Sequence, residues 1–254
     1  MKNTLIVVLL LIVGFMLWSK FTAKEEPAAK PAAPVAEAEP TVSIVNKVDA
    51  VWGDGVVDGQ TVLVFKNENP YPVYVRDFQA TYNSVQGRTE EGELFRIVPD
   101  VLEPGETGYA VNDPYLNHID YAEDFAGSEI EAFVSKKDYG DPYTKLEVSN
   151  VSYAVHPYED SHDPEDSYGT IAVNGTMTNS SSVNVDGDKV DALALMYDGQ
   201  NQLIGAFGGR LDKHGERLHG GEQFEFDLES YTLSRDLATR TARVDVVAGC
   251  LYCN

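Results

Sequence analysis

Phe224-Glu225-Phe226-Asp227-Leu228 alternates apolar and polar side chains, a period of two that lays one face of a β-strand against a core. Most of the chain beyond residue 40 reads this way. Gly, Pro, Asn and Asp punctuate the apolar runs at turn spacing, and no long stretch of period 3.6 intervenes. Short helices are expected only in residues 118–126 and 230–240. In ALALMYDGQNQLIGAF (192–207) an alternating apolar run ends at Tyr197-Asp198, a polar turn follows, and a second run begins at Leu203. Asp198 is therefore either a chemical group or a hairpin corner.

The pattern occurs twice. TVSIVNKVDAVW (41–52) matches KLEVSNVSYAVH (145–156), with Val45 on Val148 and Val48 on Val151. VLVFKNENPYPVYV (62–75) and VNGTMTNSSSVNV (173–185) each run into an Asn-containing turn, at Asn67 and Asn179. DFQATYNSVQG (77–87) parallels DALALMYDGQNQLIG (191–205), which sets Tyr82-Asn83 opposite Tyr197-Asp198. LEPGETGYAV (102–111) parallels LHGGEQFEFDL (218–228), and the copies close on EAFV (131–134) and RVDVVAG (243–249). A catalytic aspartate is not expected to become Asn in a sister copy. At a turn the two are interchangeable, because either side chain bonds nearby backbone. The corner reading of Asp198 wins.

About seven short strands in roughly 100 residues predict an all-β fold of two tandem immunoglobulin-like antiparallel β-sandwiches. The first spans 41–140 and the second 141–254. The Cys…Trp…Cys core of antibody domains is missing.

The order of these motifs resembles the bacterial FxLyD domain. Leu195-Met196-Tyr197-Asp198 and Leu218-His219-Gly220-Gly221-Glu222 carry the resemblance in the second copy. In the first it is carried by Phe78-Gln79-Ala80-Thr81-Tyr82-Asn83 and Leu102-Glu103-Pro104-Gly105-Glu106. It covers most of residues 41–250. The resemblance implies extracytoplasmic β-sandwiches on an anchored or secreted protein, and no active site is carried over with it.

The N-terminus changes the picture from a free domain pair to an anchored one. MKNTLIVVLLLIVGFMLWSK holds an uncharged run from Asn3 to Ser19 between Lys2 and Lys20. Its seventeen residues predict a transmembrane helix through residues 3–19, within an anchor spanning 1–20. The flanking lysines snorkel and Trp18 sits at the interface. A cleaved signal peptide is the rival, but Phe21 stands where a small residue should precede cleavage after Ala23. Residues 21–40 form a Pro/Ala/Glu-rich linker, with Pro27, Pro31, Pro34 and Pro40 enforcing extended backbone. At about 3.1 Å per residue, the sixteen residues of 25–40 reach roughly 50 Å. The expected location is membrane-anchored with the head outside the cytoplasm, periplasmic or on the cell surface.

Charge narrows the partners. A net charge of −22 excludes nucleic acid, which needs a basic surface. Chemistry-bearing residues are few. HPYEDSHDPEDSYG (156–169) gathers Glu159, Asp160, Asp163 and Asp166, oxygen ligands suited to calcium. The bland reading is a solvated loop stiffened by Pro157 and Pro164. Cys250 and Cys253 sit in a C-x-x-C at the C-terminus. Following a strand and not opening a helix, they read as a local disulfide in an oxidising compartment better than as a redox pair. With His156 and His162 they form only a loose zinc pattern. No G-x-S-x-G, P-loop or dinucleotide fingerprint occurs. Sequons stand at Asn150, Asn174 and Asn179.

These readings converge on a non-enzymatic binding or scaffold protein without a cofactor, which presents two modules to a protein or envelope partner. Tyr71, Tyr74, Tyr115 and Tyr121 are the candidate partner-binding residues. The alternative is a calcium- or zinc-binding surface protein using the acidic 156–166 loop.

Overall fold

Alternating sequence becomes antiparallel sheet almost throughout. The structure is a computed structural model that describes residues 39–92, 95–137, 143–158, 168–211 and 215–251. The first half comprises β1 (Val42–Trp52), β2 (Asp58–Asn67), β3 (Val73–Ser84), β4 (Thr89–Gly92), β5 (Arg96–Val98), β6 (Val101–Leu102), β7 (Thr107–Asn112) and β8 (Phe125–Lys136). The second half comprises β9 (Tyr143–Tyr158), β10 (Tyr168–Thr178), β11 (Val185–Asp186), β12 (Val190–Tyr197) and β13 (Leu203–Arg210). It closes with β14 (Arg217–Leu218), β15 (Gln223–Glu229), β16 (Leu233–Ser234), helix α1 (Arg235–Arg240) and β17 (Arg243–Leu251).

The expected helices are shorter than their windows. Residues 118–126 hold a single 3-10 turn at Ala122–Asp124. In 230–240 only α1 forms, its first turn capped by Ser234 Oγ, which accepts from the Leu237 N–H. Among the described residues no helix is long and apolar enough to cross a membrane. The predicted anchor lies outside them.

In the first half, sheet β1-β2-β7-β5 faces a second sheet in which β3 pairs β8 on one edge and β4 and β6 on the other. Leu63 and Phe65 of β2 and Ala110 of β7 meet Val73, Val75, Phe78, Ala80 and Tyr82 of β3 between the layers. In the second half, Ile171, Val173 and Met177 of β10 and Phe226 of β15 meet Ala192, Ala194 and Met196 of β12. Here β9 belongs to both layers. Its first residues pair with β17 and the remainder with β10, which joins the layers into one seven-stranded sheet.

The two turn motifs read from the sequence meet in space, and they do so identically in both halves. Asn67, with no exposed surface, donates from Nδ2 to the carbonyls of Tyr71 at 2.9 Å and Leu102 at 3.0 Å. Its Oδ1 accepts from the Asn69 N–H at 2.9 Å. Asn179, equally buried, donates to the carbonyls of Val183 and Leu218 and accepts from the Ser181 N–H. The Leu-x-x-Gly-Glu turns match too. Glu106 Oε2 accepts from the Glu103 N–H, and Glu222 Oε2 from the His219 N–H. Gly105, at φ +78°, and Gly221, at φ +84°, donate to the Asn67 and Asn179 carbonyls, a left-handed geometry that favours glycine. Each asparagine thus clamps the β2–β3 or β10–β11 turn to the β6–β7 or β14–β15 turn. The sequon at Asn179 is spent on this clamp and takes no glycan in the folded chain.

One sequence match is off by a residue. Asp198 donates its N–H to Gln202 O and accepts from the Gln200 and Gln202 N–H groups through Oδ1, each at 2.9 Å. In the first half Ser84, not Asn83, makes the two bonds across the turn: its N–H donates to Arg88 O and its Oγ accepts from the Arg88 N–H. Asp198 therefore pairs with Ser84, Tyr197 with Asn83, and Met196 with Tyr82. Side chains alternate faces along a strand, so a one-residue slip swaps core for exterior. Tyr82 and Met196 are both buried in their own cores, which fixes the corrected register. Asp198 is a hairpin corner.

Candidate functional site

β12 reads VDALALMY, and it is buried on both faces. Ala192, Ala194 and Met196 point into the second core, while Leu193 and Leu195 point outward. These outward leucines, with Ala206 of β13, meet Val62 of β2, Val98 of β5 and Val111 of β7 in a third apolar cluster shared by the two halves. Residues 39–254 accordingly form one compact unit. An unbroken apolar run from Ala192 to Tyr197 is the signature of a strand covered on both sides. That was the available sequence signal for the seam.

Polar groups bind the seam at its edges. Arg96 Nη1 of β5 donates to Asp191 Oδ1 of β12 at 2.8 Å, and Arg210 reaches the other oxygen. Lys145 of β9 pairs with Glu106 of the first half's Gly-Glu turn. Gln60, 1% exposed, crosses the seam: its Oε1 accepts from the Ala206 N–H at 2.9 Å, and its Nε2 donates to Asp113 Oδ1 at 2.8 Å. Gly205 makes room for it, since a Cβ there would lie 2.7 Å from Gln60 Oε1.

Beside Gln60 the seam opens into a pocket of about 430 Å³. Trp52, Asp58, Asp113 and Tyr115 line it from the first half, and Phe207 and Tyr231 from the second. Phe207 is buried at the floor, whereas Tyr115 and Tyr231 are 68% and 84% exposed. Burial raises the carboxyls of Asp58 and Asp113 above the usual carboxylate range; at Asp113 the Gln60 amide and then Arg96 oppose the rise. Among the described residues no Lys, Arg or His lines the pocket. Sequence reasoning placed only Tyr115 here. The other lining residues carry no motif, because they come together only when the halves dock.

The remaining predicted site residues are dispersed. Tyr121 is half exposed and bridges to Asp54 on the same side of the first half. Tyr71 packs partly into the first core with Lys136 Nζ 4.5 Å above its ring, and Tyr74 is half-buried in β3. The four tyrosines do not form one surface. Cys250 is buried and disulfide-bonded, while Cys253 lies outside the described residues. Glu159, Asp160, Asp163, Asp166 and His162 also lie outside them. Among the described residues no group of three or more His, Cys, Asp or Glu is arranged to hold a metal.

A second ionisable feature sits near the seam. Burial pushes the Asp100 carboxyl up to about 6, and the Asp191 charge adds to the rise. Asp100 Oδ1 is buried without a hydrogen-bond partner among the described residues. An unfolded aspartate titrates near about 3.9. Between these values the folded chain holds a proton that the unfolded chain has lost, so stability falls as pH rises through that window. Asp100→Asn is expected to flatten this slope and to leave the protein up to about 2 kcal/mol more stable at neutral pH. Urea midpoints compared at about pH 4.5 and about pH 7 check it; an unchanged slope counts against Asp100 as its source.

No family model and no curated protein matches the chain. A solved structure of the N-terminal CBM22-1–CBM22-2 tandem domain of Xyn10C from Paenibacillus barcinonensis is similar over 86% of this chain and 92% of that chain. The identity is 8% and the TM-score 0.13, too low to carry an argument about fold or ligand.

Proposed function

We propose a non-enzymatic, membrane-anchored binding or scaffold protein that holds two immunoglobulin-like, FxLyD-like β-sandwiches outside the cytoplasm for a protein or envelope partner. The observation that carries this reading is the seam pocket, whose aromatic rim faces solvent where both copies contribute side chains. Exposed tyrosines around a concave, partly apolar site are the composition of a recognition surface. The apolar packing and hydrogen bonds across the seam support the reading further, because a site shared by two modules needs them held in fixed relation. The apolar run at residues 3–19 supplies the anchor and the proline-spaced linker the standoff.

Cross-linking of the tagged full-length chain in intact cells, followed by recovery from envelope extracts, tests the proposal. A discrete cross-linked partner that is lost in a Tyr115→Ala, Tyr231→Ala double variant is the expected result. Recovery of the chain alone, or a partner that is indifferent to both tyrosines, would sink it.

A further inference from the structure

We propose that the seam pocket takes a basic side chain, lysine or arginine, from a partner polypeptide. The inference rests on the binding-protein reading above and specifies what that site recognises. Its basis is a contrast in how the chain treats its carboxylates. Asp49 is paired with Lys47, Asp191 with Arg96 and Arg210, and Asp186 with Arg217 and Lys189. Asp58 and Asp113 share a cavity that, among the described residues, no basic side chain lines. Asp113 is held by Gln60 through one oxygen. Its other oxygen and the Asp58 carboxylate accept no hydrogen bond from the described residues, and Arg96, whose charge acts on Asp113, has its own hydrogen bond to Asp191.

Two carboxylates crowded into a protein wall, with their titration raised by burial, are stabilised by an arriving cation and only hydrogen-bonded by a neutral ligand. The walls suit the rest of a basic side chain. Trp52, Tyr115, Tyr231 and Phe207 offer apolar faces to a methylene stem, and electron-rich rings to a cationic head. An arginine guanidinium has the fork to engage two acceptors, and a lysine ammonium has three donors. The chain's charge of −22 steers a basic partner toward the surface, and the pocket selects the side chain that enters.

The test is a titration of the purified full-length chain in about 0.3 M salt, where diffuse attraction is screened. The probe is an end-blocked five-residue peptide with lysine at its centre and glycine on either side. A second peptide carries arginine at the centre, a third carries methionine, and xylose serves as a neutral sugar. The readout is Trp52 fluorescence, set against Trp52→Phe to subtract the signal of Trp18.

The lysine or arginine peptide is expected to give a saturable change, with methionine at least tenfold weaker. Asp58→Asn with Asp113→Asn is expected to weaken it at least tenfold, because Asn at 113 keeps an acceptor for Gln60 but removes the charge. Tyr231→Ala, on a side chain outside every core, is expected to weaken it severalfold, and it stands in should the double Asn variant fail to fold. Equal binding of the methionine peptide, saturation by xylose alone, no saturable change with either basic peptide, or indifference to these variants overturns the assignment. Failure here with a partner still captured by cross-linking leaves the binding reading standing. Peptide binding without a captured partner tells against that reading and not against the pocket.

Discussion

Asn67→Ala and Asn179→Ala are each expected to destabilise the protein by about 3–4 kcal/mol. Each asparagine, itself buried, spends both Nδ2 hydrogens on backbone carbonyls and its Oδ1 on a backbone N–H. Truncation leaves those wholly or partly buried backbone groups without side-chain partners, at up to about 1–3 kcal/mol apiece before local relaxation. Asn→Asp at either position is expected to be worse, because a carboxylate turned toward two carbonyls repels both and cannot donate. Urea denaturation followed by far-UV circular dichroism measures the loss. Midpoints that stay within about 0.5 kcal/mol of the parent would show that the clamp is dispensable.

Leu193→Ala with Leu195→Ala is expected to uncouple the two halves. Both leucines are essentially inaccessible to solvent and face the first half from β12. Large-to-small changes in a packed core cost about 2–5 kcal/mol each. Here the loss falls on the shared cluster, because Ala192, Ala194 and Met196 on the other face are untouched. The parent chain is expected to melt in one calorimetric transition and the double variant in two. A parent that already melts in two steps, or a double variant that keeps one transition at a lower temperature, would show that the seam does not couple the halves. Gln60→Leu is a milder probe of the same seam. It strands the Ala206 N–H and releases Asp113, and an expected loss of about 2 kcal/mol is readable in the same experiment.

Local pattern was legible wherever it had a local cause. Phe224, Phe226 and Leu228 alternate because one face of β15 is covered, and that periodicity is written in adjacent residues. The two Asn turns and the two Leu-x-x-Gly-Glu turns could be matched by eye, since each is set by its own few residues. That these turns clamp each other was not legible, because the donors and acceptors that meet are backbone groups of distant residues, which leave no sequence mark. The register at Asp198 failed by one residue for a related reason. Tyr82-Asn83 and Tyr197-Asp198 look alike as letters, but the face each side chain occupies decides the match, and Met196 fills the place of Tyr82.

The sequence by itself determined the strand-rich character of the chain beyond residue 40, its recurring turn motifs and its heavy negative charge, all consequences of short-range pattern and composition. Only the tertiary structure decided that β12 is covered on both faces, that Gln60 crosses between the halves, and that Asp58, Asp113, Tyr115, Phe207 and Tyr231 line one pocket. Those residues are far apart in the chain, and none is chemically distinctive alone. Docking of the two halves, driven by burial of Val62, Val98, Val111, Leu193, Leu195 and Ala206, is what makes them neighbours.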